Sequence, residues 1–151
     1  MSALFEVLSK IQKEMKAPKS QFNAFGKYKY RSCEDILEAV KPFLNGTVLY
    51  ISDEMVLIGD RYYLKATATL RNGDEAVSVT AYAREEVEKK GMDSSQITGA
   101  ASSYARKYAL NGLFLIDDTK DSDATNEHGN GGGANGKPKG NQVEQLKDKL
   151  G

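Results

Sequence analysis

The chain has little of what many enzymes and most secreted domains are built around. Its 151 residues include one cysteine, Cys33, and one histidine, His128. A lone thiol closes no internal disulfide, which excludes a disulfide-stapled scaffold and fits a reducing, cytoplasmic setting. No apolar run approaches the roughly 20 residues that a membrane-spanning helix needs. The opening MSALFEVLSKIQKEMK mixes apolar and charged side chains at short intervals, unlike a signal or transit peptide. Net charge is missing too, with 21 Lys/Arg against 21 Asp/Glu. There is no G-x-S-x-G, Walker A or G-x-G-x-x-G motif and no Cys/His metal spacing. His128 stands in a glycine-rich stretch that cannot hold a catalytic geometry, and Cys33 has no histidine partner on an ordered segment. The chain therefore reads as a non-enzyme that needs no cofactor.

What is present is unevenly spread. Hydrophobic residues make up 40% of the chain, enough for one core, and the length fits one domain with appendages. Residues 1–31 hold seven Lys/Arg against two Glu, while residues 117–151 hold five Lys against seven Asp/Glu. A polyanion responds to the local patch within a Debye length, so the basic entrance matters more than the neutral total.

Leu4, Leu8, Ile11 and Met15 recur at helical spacing and predict an amphipathic helix over residues 3–16, stopped before Pro18. Residues 19–31 lack a period and read as an ordered loop or irregular strand. Ser32 is a predicted N-cap for a helix running through Ile36, Leu37, Val40, Phe43 and Leu44 to Asn45-Gly46, with Pro42 kinking its last turn. Thr47–Ile51 and Met55–Ile58 read as two short strands. Tyr62–Arg71 alternates, with Tyr62, Leu64, Ala66, Ala68 and Leu70 on one face. Asn72-Gly73 predicts a type I′ hairpin turn into a return strand, Glu75–Ala83. A long helix is expected from Asp93-Ser94-Ser95 to Leu115. Its small residues Ala101, Ala105, Ala109 and Gly112 share a face suited to close packing. The order is that of an α+β core, residues 1–124, followed by a flexible Gly/Asn-rich tail, residues 125–151.

Phe22, Phe25, Tyr28 and Tyr30 interleave with Lys27, Lys29 and Arg31. Binders of single strands use such mixtures because cations neutralise phosphates while rings stack on any base. Lys65 and Arg71 on the polar face of the hairpin, with Arg61 before it and Arg84 after it, add cations. Ser102, Ser103, Arg106 and Lys107 lie three and four apart, forming a polar stripe on the long helix that suits phosphate. Tyr104 and Tyr108, at i and i+4, are expected in the core. Asp117, Asp118, Asp121 and Asp123 form an acidic knot without the central Gly and distal Glu of a calcium loop. Two alternatives follow: a metal-dependent nuclease using that knot, or an adaptor acting through the tail, where Val143, Leu146 and Leu150 form one helical stripe.

The run MDSSQITGAASSYARKYALNGLFLIDDTKDSD, residues 92–123, resembles the signature of the ERF (essential recombination function) family of phage single-strand annealing proteins. That signature has a Gln, a Gly three positions later, a Ser/Thr-Tyr-x-Arg-[Arg/Lys]-Tyr-Ala-Leu block and an Asp-rich close. Here these are Gln96, Gly99, Ser103, Tyr104, Arg106, Lys107, Tyr108, Ala109, Leu110, Asp117, Asp118, Asp121 and Asp123. KYKYRSCEDILEAVKPFL, residues 27–44, is similar to the family's basic-aromatic stretch and following helix. The likeness covers residues 3–124; Ser103 stands where Thr is common, and the tail matches no pattern. It implies a β-β-β-α core like that of the eukaryotic annealing recombinases. It also implies assembly into rings or helical filaments, and a basic groove holding single-stranded DNA without ATP or covalent catalysis. The partners to expect are single-stranded DNA and the annealed duplex, further copies of the chain, and a host single-strand binding protein or phage exonuclease. The setting is the bacterial cytoplasm of a phage or prophage host. The candidate contacts are Lys27, Tyr28, Lys29, Tyr30, Arg31, Arg61, Lys65, Ser103, Arg106 and Lys107.

Overall fold

The computed structural model describes residues 2–117. The tail from residue 125, with His128 and the Val143–Leu150 stripe, lies outside the described residues, as do Asp118, Asp121 and Asp123.

The chain begins with α1, Ala3–Glu14, capped by the Ser2 hydroxyl, which accepts from the Phe5 N–H at 3.3 Å. Leu4, Val7, Leu8 and Ile11 are its buried stripe, each burial worth about 1.5–3 kcal/mol. Two short strands follow, β1 (Gln21–Asn23) and β2 (Tyr28–Tyr30), paired antiparallel. The segment expected as an ordered loop or irregular strand is thus a small hairpin. Its four-residue turn is organised by Asn23, whose side-chain oxygen accepts from the Phe25 and Gly26 N–H groups, both at 3.0 Å.

α2 spans Cys33–Val40. Ser32 and Asp35 form a reciprocal capping box, so two of the helix's orphan donors are satisfied at once. The helix is shorter than the apolar spacing predicts. Pro42 falls in a 3₁₀ turn, Lys41–Phe43, which carries the chain to Asn45 and Gly46, both at positive φ. The missing proline N–H explains why α-helical bonding stops there.

The main sheet is an antiparallel meander of β3 (Val48–Ile58), β4 (Arg61–Asn72) and β5 (Glu75–Arg84). Ser52, Asp53 and Glu54, expected to separate two strands, lie inside one continuous strand because each pairs with β4 in unbroken register. The turn also differs by one position. Asn72 still pairs with Glu75, so the loop residues are Gly73 and Asp74. Gly73 has φ 61° and neither Asn72 nor Asp74 is at positive φ, the φ pattern of a type II′ turn.

The alternation of β4 is as expected. Leu64, Ala66, Ala68 and Leu70 are buried, and their pairing partners Val77, Val79, Ala81 and Ala83 on β5 pack against the same core. Covering this face is α3, Ser94–Phe114, opened by a capping box between Asp93 and Gln96. Ala101, Ala105 and Ala109 are its seam against the sheet. A Cβ on Gly112 would meet Val79 Cγ1 at 2.9 Å, so the backbone there comes as close as a glycine permits. Leu115 ends the helix in the left-handed region, φ 57°, while the N–H groups of Leu115 and Ile116 both return to the Asn111 carbonyl. Gln12 of α1 donates to the Leu113 carbonyl at 2.9 Å, tying the first helix to the last. On the opposite sheet face, Thr67 pairs with Thr80 and Thr69 with Ser78 by hydroxyl hydrogen bonds of 3.1 and 2.8 Å. The architecture is α+β, with a three-stranded antiparallel sheet under a long helix and two shorter helices beside it.

Candidate nucleic-acid interface

Period-two alternation in β2 decides which side chains the small hairpin turns toward α3. Tyr28 and Tyr30 share one face, while Lys29 shares the other with its pairing partner Phe22. The two tyrosine rings lie 6.1 Å apart, tilted by 59°. Tyr28 is held by its hydroxyl, which accepts from Asn23 at 3.1 Å, and its ring lies over Gly26, where a Cβ would meet ring carbons at 2.3 and 2.6 Å. Arg31, just beyond the strand, donates through Nε to the Ala17 carbonyl at 2.8 Å, anchoring the hairpin to the chain leaving α1.

Across from these residues, α3 presents Ser103, Tyr104 and Lys107. Together with Tyr28, Tyr30 and Arg31 they line a groove of about 540 Å³. Lys107 Nζ lies 5.8 Å from the centre of the Tyr30 ring, within cation–π range. Five of the ten expected contacts therefore meet in one place: Tyr28, Tyr30, Arg31, Ser103 and Lys107. Cys33 also borders the groove, but burial, and then Glu34 and Asp53, hold its thiol above the ordinary value against the pull of Arg106.

The other five candidates lie elsewhere. Lys27 is in the hairpin turn at φ 56°, and Lys29 points away from the groove. Lys65 faces the opposite side of the sheet, 3.8 Å from Glu54. Arg61, half-buried, donates to the Glu85 carbonyl at 3.1 Å. Arg106 is engaged by a carboxylate: its Nε reaches Asp53 Oδ1 at 3.0 Å and its Nη2 reaches Oδ2 at 3.0 Å, while Ser102 donates to Oδ2 at 2.6 Å. The stripe expected on one helix face is thus split. Ser102 and Arg106 turn to β3, Ser103 and Lys107 to the hairpin. Burial raises the Asp53 pKa, but the hydrogen bonds from Arg106 and Ser102 and the guanidinium charge outweigh it and hold the carboxyl below its ordinary value.

Tyr104 and Tyr108 correct the expectation that they are core residues. They are 56% and 49% exposed, and their rings stack 6.2 Å apart at 29°. The signal was available in the helical wheel. Each precedes an alanine of the buried seam by one position, about 100° around the helix, which places it on the flank rather than underneath. The groove thus combines tyrosine faces with the cations Arg31 and Lys107, and Gln21, Asn23 and Glu34 also line it.

The ERF superfamily model matches residues 4–150, and the chain belongs to that superfamily. The match runs well beyond the resemblance over residues 3–124 and takes in the tail. Over 121 residues the chain is 68% identical to the "Essential recombination function protein" of Salmonella phage P22, an alignment covering 80% of this chain and 58% of that protein. The chain thus spans a little under three fifths of the length of that relative. No solved structure matches it. Among the described residues no helix is long and apolar enough to cross a membrane.

Proposed function

We propose that this protein acts in phage homologous recombination, binding single-stranded DNA and annealing complementary strands without ATP, as an oligomer. The observation that carries the reading is the groove between β2 and α3. It brings Tyr28, Tyr30, Arg31, Ser103 and Lys107 together in a chain closely similar to a protein named for recombination. Arg31 and Lys107 hold phosphates, the Ser103 hydroxyl adds a hydrogen bond, and Tyr28, Tyr30 and Tyr104 stack on bases. Annealing is already downhill, with stacking worth roughly 1.4 kcal/mol per step. The protein's task is then to keep a strand extended and to lessen repulsion between the two backbones. Several copies in a ring or filament add avidity to what each groove supplies.

The test is fluorescence anisotropy on a labelled oligonucleotide across a salt series, beside an annealing assay with ATP omitted. Binding that weakens by about 0.7 log units per log unit of salt for each phosphate held is expected. Tyr30→Ala weakens binding by about 1–3 kcal/mol without unfolding the domain. Affinity unchanged in that variant, or indifferent to salt, removes the groove from consideration.

A further inference from the structure

An annealing protein has to host two strands, and the groove accounts for one. On the other flank of α3 a separate cleft of about 350 Å³ runs between the helix, the end of β5 and the segment leaving it. Tyr82, Tyr104 and Tyr108 line it, with Arg84 and Lys89 as cations and Glu86 as the opposing charge. All six are exposed.

The cleft is positioned by a single well-anchored residue. Glu85 donates its N–H to the Tyr62 carbonyl at 2.8 Å, accepts from Arg61 on its own carbonyl, and accepts from the Thr98 hydroxyl on its side chain at 2.8 Å. Two of these anchors run to β4 and one to α3, so position 85 ties the segment carrying Arg84 and Glu86 to both. Arg61, through its bond to the Glu85 carbonyl, helps to shape this wall. Tyr104 lines both depressions, so the ridge of α3 that separates them is itself aromatic.

We propose that this cleft holds the incoming complementary strand while the groove holds the first, an inference that rests on the reading of the groove given above. Arg84 and Lys89 neutralise phosphates of the second strand, and the Tyr104–Tyr108 stack separates two sets of bases until they pair across the ridge. A second single strand is the occupant because the lining repeats the groove's chemistry: tyrosine faces for any base and cations for the backbone.

The experiment preloads the full-length protein with one labelled oligonucleotide and adds its quencher-labelled complement. The variant Arg84→Ser with Lys89→Ser changes two exposed side chains. It should hold the first strand within about twofold of the unaltered protein, yet anneal roughly tenfold more slowly at low salt. The salt dependence of its annealing rate should flatten by about 1.4 log units per log unit of salt, about 0.7 for each lost contact. Arg84→Lys with Lys89→Arg should restore the rate, and Glu86→Gln should raise it. Parallel loss of first-strand affinity and annealing would make groove and cleft one site and overturn the proposal. Unchanged annealing would leave the cleft idle and overturn it as well. If the unaltered protein binds no single strand, the groove reading fails first and takes this inference with it.

Discussion

Arg106 belongs to the block that marks the family, and in the structure it is a clamp between α3 and β3. The row Asp53–Ala66–Ala81 crosses the helix-facing side of the sheet, and its two alanines leave room for an ion pair beneath the helix. The Asp53 side chain is 24% exposed and that of Arg106 39%, so the pair is neither fully buried nor free in solvent. Its two-pronged geometry is the favourable one. Discounting for screening, we expect a double-mutant cycle on Asp53→Ala and Arg106→Ala to give a coupling of roughly 1–2 kcal/mol. Each single variant should melt lower by about 4 °C per kcal/mol lost at this size. The pH dependence follows from the lowered Asp53 pKa. A depressed carboxyl adds stability that is fully present above its ordinary value of 3.8 and is lost as pH falls through the folded-state value. The stability gap between the unaltered protein and Asp53→Asn should therefore be constant near neutrality and close below pH 3.8. Urea melts from neutral to acid pH, read by circular dichroism, measure it. Equal stability of all the variants, with single-strand affinity lost only when Arg106 is replaced, would make Arg106 a phosphate contact and refute the clamp.

Two glycines of α3 should respond in opposite directions. Gly112→Ala drives a methyl into Val79 and should destabilise by about 1–3 kcal/mol, whereas Gly99→Ala meets nothing within 4 Å and should stabilise by about 0.8–1 kcal/mol, both read by chemical denaturation. Leu115 closes α3 at φ 57° with its side chain 68% exposed. Leu115→Gly relieves that strain at little packing cost and should raise stability by roughly 0.5–1 kcal/mol, visible as a higher melting temperature.

The sheet and helices were legible where one physical signal dominated. Alternation in Tyr62–Arg71 fixed the buried face of β4, and Ser32 and Asp93 announced their helices through side-chain oxygens that reach back to the backbone. The reading stumbled where two signals competed. Ser52-Asp53-Glu54 looks like a break by composition, but Asp53 is tolerated inside β3 because a guanidinium from α3, some fifty residues on, answers it. No local pattern contains that partner. The hairpin β1–β2 reads only as a loop or irregular strand for a different reason: three-residue strands carry too few alternations to show a period. The groove was half legible. The interleaving of Tyr28, Lys29 and Tyr30 marks the segment that lines the groove, but only the pairing register separates the tyrosines, which face α3, from Lys29, which does not. Lys65 and Arg61 stand out in the sequence by charge alone, and charge does not say which side of a sheet a residue occupies.

The hydroxyl pairs Thr67–Thr80 and Thr69–Ser78 run down the middle of the uncovered side of the sheet. Each of these oxygens already has a neighbour, and Thr69 is itself buried. Flanking this strip on the same face stand Val48, Tyr50, Ile58 and Tyr82, all exposed. A sheet with helices on one side alone here keeps its bare back polar along the centre line only, with aromatic and branched side chains to either side.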